Sequence, residues 1–233
     1  MNISQDKKIF GLLLLSSIFS CSLLLFRLYK TGALEDYEGG MIPLFSKRNW
    51  MFLFLVWNLF LAWIPFLLSS QLERFWQLSG SKILLGFYLL IWLLFLPNAP
   101  YLITDLLHLR PRPPLPLWYD LMMIYAFAWT GLMLGFFSLL QVENFWRKHI
   151  SSSTATFFAY SVLALCSFGI YIGRFQRWNS WDIIQNPTKL MLDVLQLMAN
   201  PIENIRFMGI VAVFFCLLSI GYYAFNLRGY AKK

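Results

Sequence analysis

Three short segments of this sequence carry residues whose types and spacing suit chemistry. In Leu96-Pro97-Asn98-Ala99-Pro100-Tyr101-Leu102-Ile103-Thr104-Asp105-Leu106-Leu107-His108-Leu109-Arg110, the residues Tyr101, Thr104, Asp105 and His108 recur at i, i+3, i+4 and i+7. That spacing gathers them on one helical face. A carboxylate three residues before an imidazole can orient it, or the two can share a metal. Asp105 and His108 are therefore candidate acid and base, and Asn98, Tyr101 and Thr104 are candidate ligand contacts. The second segment, Leu117-Trp118-Tyr119-Asp120, offers Asp120 as a carboxylate able to face Asp105. The third is Gly173-Arg174-Phe175-Gln176-Arg177-Trp178-Asn179-Ser180-Trp181-Asp182. Arg174 and Arg177 lie one helical turn apart, and arginine forks grip phosphate or carboxylate. Trp178, Asn179 and Trp181 are candidate ligand contacts beside them, and Asp182 is a further candidate acid or orienting group. Each segment also has a plainer reading. The first is then an interfacial helix with its polar face in water, and the third a set of Arg and Trp membrane anchors.

The elements that position these residues are set by composition. Of 233 residues, 59% are hydrophobic and 13% charged, against about 45–50% and about 25% in soluble domains. Six stretches of at least 18 residues lack Asp, Glu, Lys and Arg: Ile9–Phe26, Asn49–Leu72, Ile83–Thr104, Leu121–Val142, His149–Gly173 and Phe207–Leu227. About 20 apolar residues cross a hydrocarbon core of roughly 30 Å. The runs are continuous rather than alternating, which excludes a membrane β-barrel. The expectation is an all-α polytopic transmembrane helix bundle forming one membrane-embedded domain over residues 1–233. Its spans fall near 9–26, 50–70, 83–97, 117–140, 154–173 and 207–225. Two short amphipathic helices, near 100–109 and 189–200, are expected at the interface, the first with the option of re-entering the protein.

Pro97 and Pro100 break the third span. Arg110-Pro111-Arg112-Pro113-Pro114-Leu115-Pro116 reads as a stiff polyproline spacer. Gly131-x-x-x-Gly135 and Gly169-x-x-x-Gly173 let helices approach closely. They predict that the fourth and fifth spans pack on each other and carry Arg174 toward Asp120. The loops on the side of the two termini are shorter and denser in Lys and Arg, which predicts cytoplasmic termini. The polar segments then open on the other side.

The motifs "LPNAPYLITDLLHL", "PLWYDLMMIYAFAWTGLMLG", "GRFQRWNSWD" and "NLFLAWIPFLLS" resemble a bacterial multi-spanning family catalogued as domain of unknown function 1361. The resemblance covers roughly Asn49 to Phe225. It implies an integral protein of the bacterial inner membrane with six or more helices, and it selects no reaction.

Two functions compete on this reading. In the first, Arg174 and Arg177 hold the charge of an anionic lipid or lipid-linked headgroup. Asp105 and His108 then act as acid and base, with Asp120 or Asp182 orienting them. In the second, the chain is a structural or assembly subunit touching other membrane proteins. Apolar span centres argue against transport. His108 and His149, the only two histidines, fall on opposite sides, which argues against haem. No cofactor or metal is expected. The net charge of +8 is spread over both membrane surfaces and does not point to nucleic acid.

Overall fold

In the computed structural model, residues 3–32, 50–178, 185–199 and 205–230 are described. Among them all regular structure is helical. The elements are α1 (Ile3–Lys30), α2 (Trp50–Ser79), α3 (Lys82–Phe95), α4 (Asn98–Tyr101), a 3₁₀ segment (Leu102–His108), α5 (Leu117–His149), α6 (Ala155–Phe175), α7 (Pro187–Ala199) and α8 (Ile205–Tyr230). Six helical segments are long and apolar enough to cross a membrane: Asp6–Lys30, Phe52–Ser79, Lys82–His108, Leu117–His149, Ala155–Phe175 and Ile205–Leu227. Outward faces carry Leu15, Ile83, Phe157, Ile205 and Ile220, all strongly exposed. Hydrocarbon satisfies such faces where water would not. The protein is a multi-pass helical membrane bundle.

The centre of the bundle is α5, the most enclosed of the long helices. One core gathers α1, α2 and the 3₁₀ segment around its first half, through Leu24, Phe52, Leu59, Leu102, Met123 and Phe127. The other gathers α3, α6 and α8 around its second half, through Trp92, Leu96, Leu139, Leu163, Ile170 and Tyr222. Sparse polar contacts stitch the helices at depth. Ser16 and Thr130 hydroxyls meet at 2.6 Å, and Trp92 Nε1 donates to Ser138 Oγ at 2.8 Å. Ser138 Oγ in turn donates to the Pro65 carbonyl at 2.9 Å. The hydroxyl positions at the span centres are thus interhelical pins.

The third span changes character at its prolines. Pro97 and Pro100 bring no amide hydrogen, so the α-helical ladder cannot continue through them. Two carbonyls at the break find other donors. Ala99 N–H reaches the Leu96 carbonyl at 3.1 Å, and Asn98 Nδ2 reaches the Phe95 carbonyl at 2.9 Å. Beyond Tyr101 the chain tightens into the 3₁₀ turn rather than the expected α-helix. It also re-enters the protein rather than lying with its polar face in water. Ala99, Pro100, Leu102, Thr104 and Asp105 are all buried.

The two glycine pairs explain where that segment goes. A Cβ on Gly131 would sit 2.6 Å from the Ala99 carbonyl oxygen, and one on Gly135 would sit 3.2 Å from the Ala99 Cβ. On α6, a Cβ on Gly169 would sit 3.0 Å from Pro97, and one on Gly173 would sit 3.3 Å from the Tyr101 ring. The fourth and fifth spans do touch, as expected, but not through these glycine stripes. Each receives a face of the Pro97–Leu102 segment, which lies as a wedge between α5 and α6. The proline-rich run Arg110–Pro116 differs as well. It turns back at Pro113-Pro114, with Arg112 and Leu115 paired as an isolated β-bridge, rather than running extended. The short helix expected near 189–200 is α7.

Gly131→Ala should lower stability by about 1–3 kcal/mol through overpacking against backbone. Gly86→Ala, with nothing within 4 Å of the added carbon, should be neutral or stabilising by about 0.5–1 kcal/mol. Thermal unfolding of both variants in one detergent, followed by circular dichroism, checks the contrast.

Candidate functional site

The wedge delivers Asp105 to a point between α2 and α6. Its carboxylate is 0% exposed. Asn58 of α2 donates Nδ2 to Oδ2 at 3.0 Å, and Arg174 of α6 approaches Oδ1 at 3.5 Å. Arg174 spreads further. Nη2 donates to the Thr104 carbonyl at 2.6 Å and lies 2.7 Å from His108 Nδ1. Nη1 reaches the Tyr101 hydroxyl at 3.4 Å, and the guanidinium lies 5.6 Å from that ring centroid. One arginine thus clamps Tyr101 of the wedge and Thr104, Asp105 and His108 of the 3₁₀ segment that follows it. His108 is 45% exposed, and its ring lies 5.0 Å from that of Phe54 on α2. The structure therefore brings together Tyr101, Thr104, Asp105, His108 and Arg174.

Other expected members go elsewhere. Asp120 does not face Asp105, and Arg174 does not reach Asp120. Asp120 is 1% exposed and is held by Arg27 at the end of α1, with Nε–Oδ1 at 2.7 Å and Nη2–Oδ2 at 3.0 Å. The wedge lies between α6 and α5 and intercepts Arg174 before it can cross. Arg177 does not point with Arg174. Helix α6 ends at Phe175, and Arg177 adopts a left-handed backbone, φ 61°, that turns its side chain out to an exposed position. Trp178 turns away too, donating Nε1 to Asp193 on α7 at 3.1 Å, with Lys189 over its ring at 5.6 Å. Asn98 spends an amide hydrogen on the Phe95 carbonyl inside the wedge. Asn179, Ser180, Trp181 and Asp182 lie outside the described residues. Among those described, no group of three or more His, Cys, Asp or Glu could hold a metal.

Sequence reasoning missed several partners. Asn58 sits in an otherwise apolar span, and a lone amide among leucines and phenylalanines is the signal that marks it. Arg27 lies at the last turn of α1, where it reads as an ordinary interfacial cation. Arg27 and Arg112 both lie over the Phe52 ring, at 4.6 and 5.0 Å. Arg112 also donates Nη2 to the His108 carbonyl at 3.4 Å. Burial lowers the Arg112 guanidinium from its ordinary range; Asp120 opposes that, while Arg27 and Arg110 add to it. Among the described residues of this corner, Arg27, Arg110 and Arg112 stand against the single carboxylate of Asp120.

The chain matches the family model described as "Protein of unknown function (DUF1361)" over residues 57–220. The protein belongs to this family. No curated protein and no solved structure matches it. In this DUF1361 protein the matched region contains the wedge, both glycine pairs, Asn58, Asp105, His108, Asp120 and Arg174. Arg27 lies outside it, so the Asp120 pair joins the matched region to the first helix.

The opposite end of the bundle holds a separate polar group. Glu143 is buried and accepts from Tyr222 Oη at 2.5 Å and from Arg147 at 2.7 Å. Glu73 meets Lys148 at 2.6 Å and His149 at 3.0 Å. These contacts tie α2, α5 and α8 together and do not approach the wedge.

Removing one partner of a buried ion pair leaves an uncompensated charge and costs about 3–5 kcal/mol, whereas an apolar replacement of both is often tolerated. Arg27→Met should therefore destabilise strongly, and Arg27→Met/Asp120→Leu should recover most of the loss. Denaturation of the two variants and wild type in matched detergent measures the difference.

Proposed function

We propose that the protein binds the anionic headgroup of a lipid or lipid-linked compound at the end of the bundle that carries the wedge. The observation that carries this reading is a division of charge. The two carboxylates at the ends of α4–3₁₀ and α5, Asp105 and Asp120, are buried and neutralised by Arg174 and Arg27. Lys30, Arg110, Arg177, Lys189 and Arg206 are exposed at the same end. A described surface whose exposed charges are cations, set at the membrane boundary, suits a phosphate-bearing group. Asp105 in this reading is a positioning residue, since a carboxylate with no exposure cannot touch a ligand. His108, beside Arg110, is the part of the clamp that can. The dense Lys and Arg of the shorter loops support cytoplasmic termini in a bacterial inner membrane, with the binding end on the other side.

A second reading, assembly with another membrane protein, draws on one feature. Trp118, Met122, Tyr125 and Trp129 form an exposed stripe on α5, with the Tyr125 and Trp129 rings stacked at 6.3 Å. Large aromatic side chains anchor many protein interfaces.

Native mass spectrometry with added phosphatidylglycerol, phosphatidylcholine or inorganic phosphate separates these outcomes. Wild type should retain phosphatidylglycerol over phosphatidylcholine. Arg110→Ala/Arg177→Ala should weaken that retention about tenfold, equivalent to about 1.4 kcal/mol. Competition by millimolar inorganic phosphate identifies the phosphate itself as the ligand rather than the lipid. Equal retention of both lipids, unaltered in the double variant, overturns the headgroup reading. A second protein at equal stoichiometry in place of lipid supports the assembly reading.

A further inference from the structure

The contact between Arg174 and His108 has a chemical direction. A guanidinium has five N–H donors and no acceptor, and it stays protonated. Its Nη2 lies 2.7 Å from His108 Nδ1. Two donors cannot share that distance, so Nδ1 must accept. An imidazole whose Nδ1 accepts is neutral and carries its proton on Nε2. The surroundings agree. From α6 the imidazole faces Arg174. From its own segment and the loop after it, it faces Asp105, Arg110 and Arg112, and from α2 the Phe54 ring. The Asp105 carboxylate stands 4.0 Å from Nδ1, too far for a hydrogen bond. It is already engaged by Asn58 and Arg174. The rival partner is the Asp105 main chain, one turn back.

We propose that Arg174 is a positioning residue that pins His108 as a neutral imidazole, with Nδ1 capped by the guanidinium and Nε2–H free to donate to an anionic oxygen of the ligand. The ligand class follows. An acceptor-only oxyanion, such as a phosphodiester, meets a fixed N–H donor flanked by Arg110. A cationic group finds no acceptor on this imidazole, and a hydroxyl oxygen can accept from Nε2–H but without the charge assistance an oxyanion brings. His108 is then a binding donor and not a base, because the lone pair that a base needs is occupied. For its ligand this inference rests on the headgroup reading above; for the tautomer it rests on the Arg174 contact alone.

Two measurements test the two parts separately. The chain has two histidines, so ¹⁵N-histidine labelling of a His149→Gln variant isolates the His108 signals. At neutral pH, His108 should show a protonated Nε2 and an unprotonated Nδ1. In Arg174→Lys, which cannot cap Nδ1, span the Thr104 carbonyl and cover Tyr101 at once, that single tautomer should be lost. A protonated Nδ1 in the Arg174 protein overturns the positioning. For the donor role, the amide of Gln reaches as far as imidazole Nε2, whereas that of Asn reaches only as far as Nδ1. His108→Gln should hold phosphatidylglycerol within about threefold of the parent chain, and His108→Asn should lose about tenfold, the scale of one charge-assisted hydrogen bond. Equal retention, or equal loss, in these two variants overturns the donor role. Failure of the unsubstituted protein to bind phosphatidylglycerol overturns the headgroup reading, and the nitrogen spectrum still decides the tautomer.

Discussion

The arrangement depends on how the chain solves the loss of hydrogen bonds at Pro97 and Pro100. In a membrane an interrupted helix must find new partners for its freed carbonyls or be buried in protein. Here both happen. Asn98 and Ala99 take up the Phe95 and Leu96 carbonyls, and glycine faces on α5 and α6 admit the broken segment to within ordinary packing distance of backbone. The absence of side chains at Gly131, Gly135, Gly169 and Gly173 is what makes the wedge possible. The tight 3₁₀ turn that follows buries Leu102, Thr104 and Asp105 among the helices and reaches the surface at Leu107 and His108.

Enclosure decides the electrostatics. A carboxylate carried inward on the wedge needs a partner, and α6 ends beside it with Arg174. The same logic acts at Asp120, where α1 supplies Arg27. Neither pair is a large source of stability, because desolvation offsets most of the attraction. Their effect is to fix the rotation and depth of α1 against α5, and of α6 against the wedge. With Asp105 and Asp120 paired, the fully exposed charges among the described residues of that end are cations. Arg174, with Nη2 shared between the Thr104 carbonyl and His108, connects the buried network to the surface. At the other end Glu143, held by Tyr222 and Arg147, locks α8 to α5. The two ends are thus built alike, but the wedge end alone couples its buried acid to an exposed histidine.

Much of this was legible in the sequence, and the rest was not for physical reasons. Charge-free runs of 18 or more residues located six spans because lipid forbids unpaired charge over that length. The prolines flagged the broken helix, and the Tyr101–Thr104–Asp105–His108 spacing identified the residues that Arg174 gathers. The glycine stripes signalled close approach but not its partner. A small residue reports that something comes near, and both stripes had each other as the nearest candidates along the chain. Arg177 was misplaced because the spacing rule assumes that the helix continues, whereas it ends two residues earlier at Phe175. Arg27 and Asn58 were missed because each is an isolated polar residue whose partner lies 93 and 47 positions away. Periodicity within one helix carries no information about such pairs.

The central claim, that the Pro97–Leu102 segment lies between α5 and α6, is tested most directly by disulfide trapping. In a background lacking Cys21, Cys166 and Cys216, Ala99→Cys/Gly135→Cys should cross-link on mild oxidation. Their Cβ positions lie 3.2 Å apart, close to the roughly 3.5–4.5 Å a disulfide uses. Gly135→Cys/Gly169→Cys should stay reduced, because the wedge separates those faces. Cross-linking of the glycine pair without cross-linking of the first pair would contradict the account.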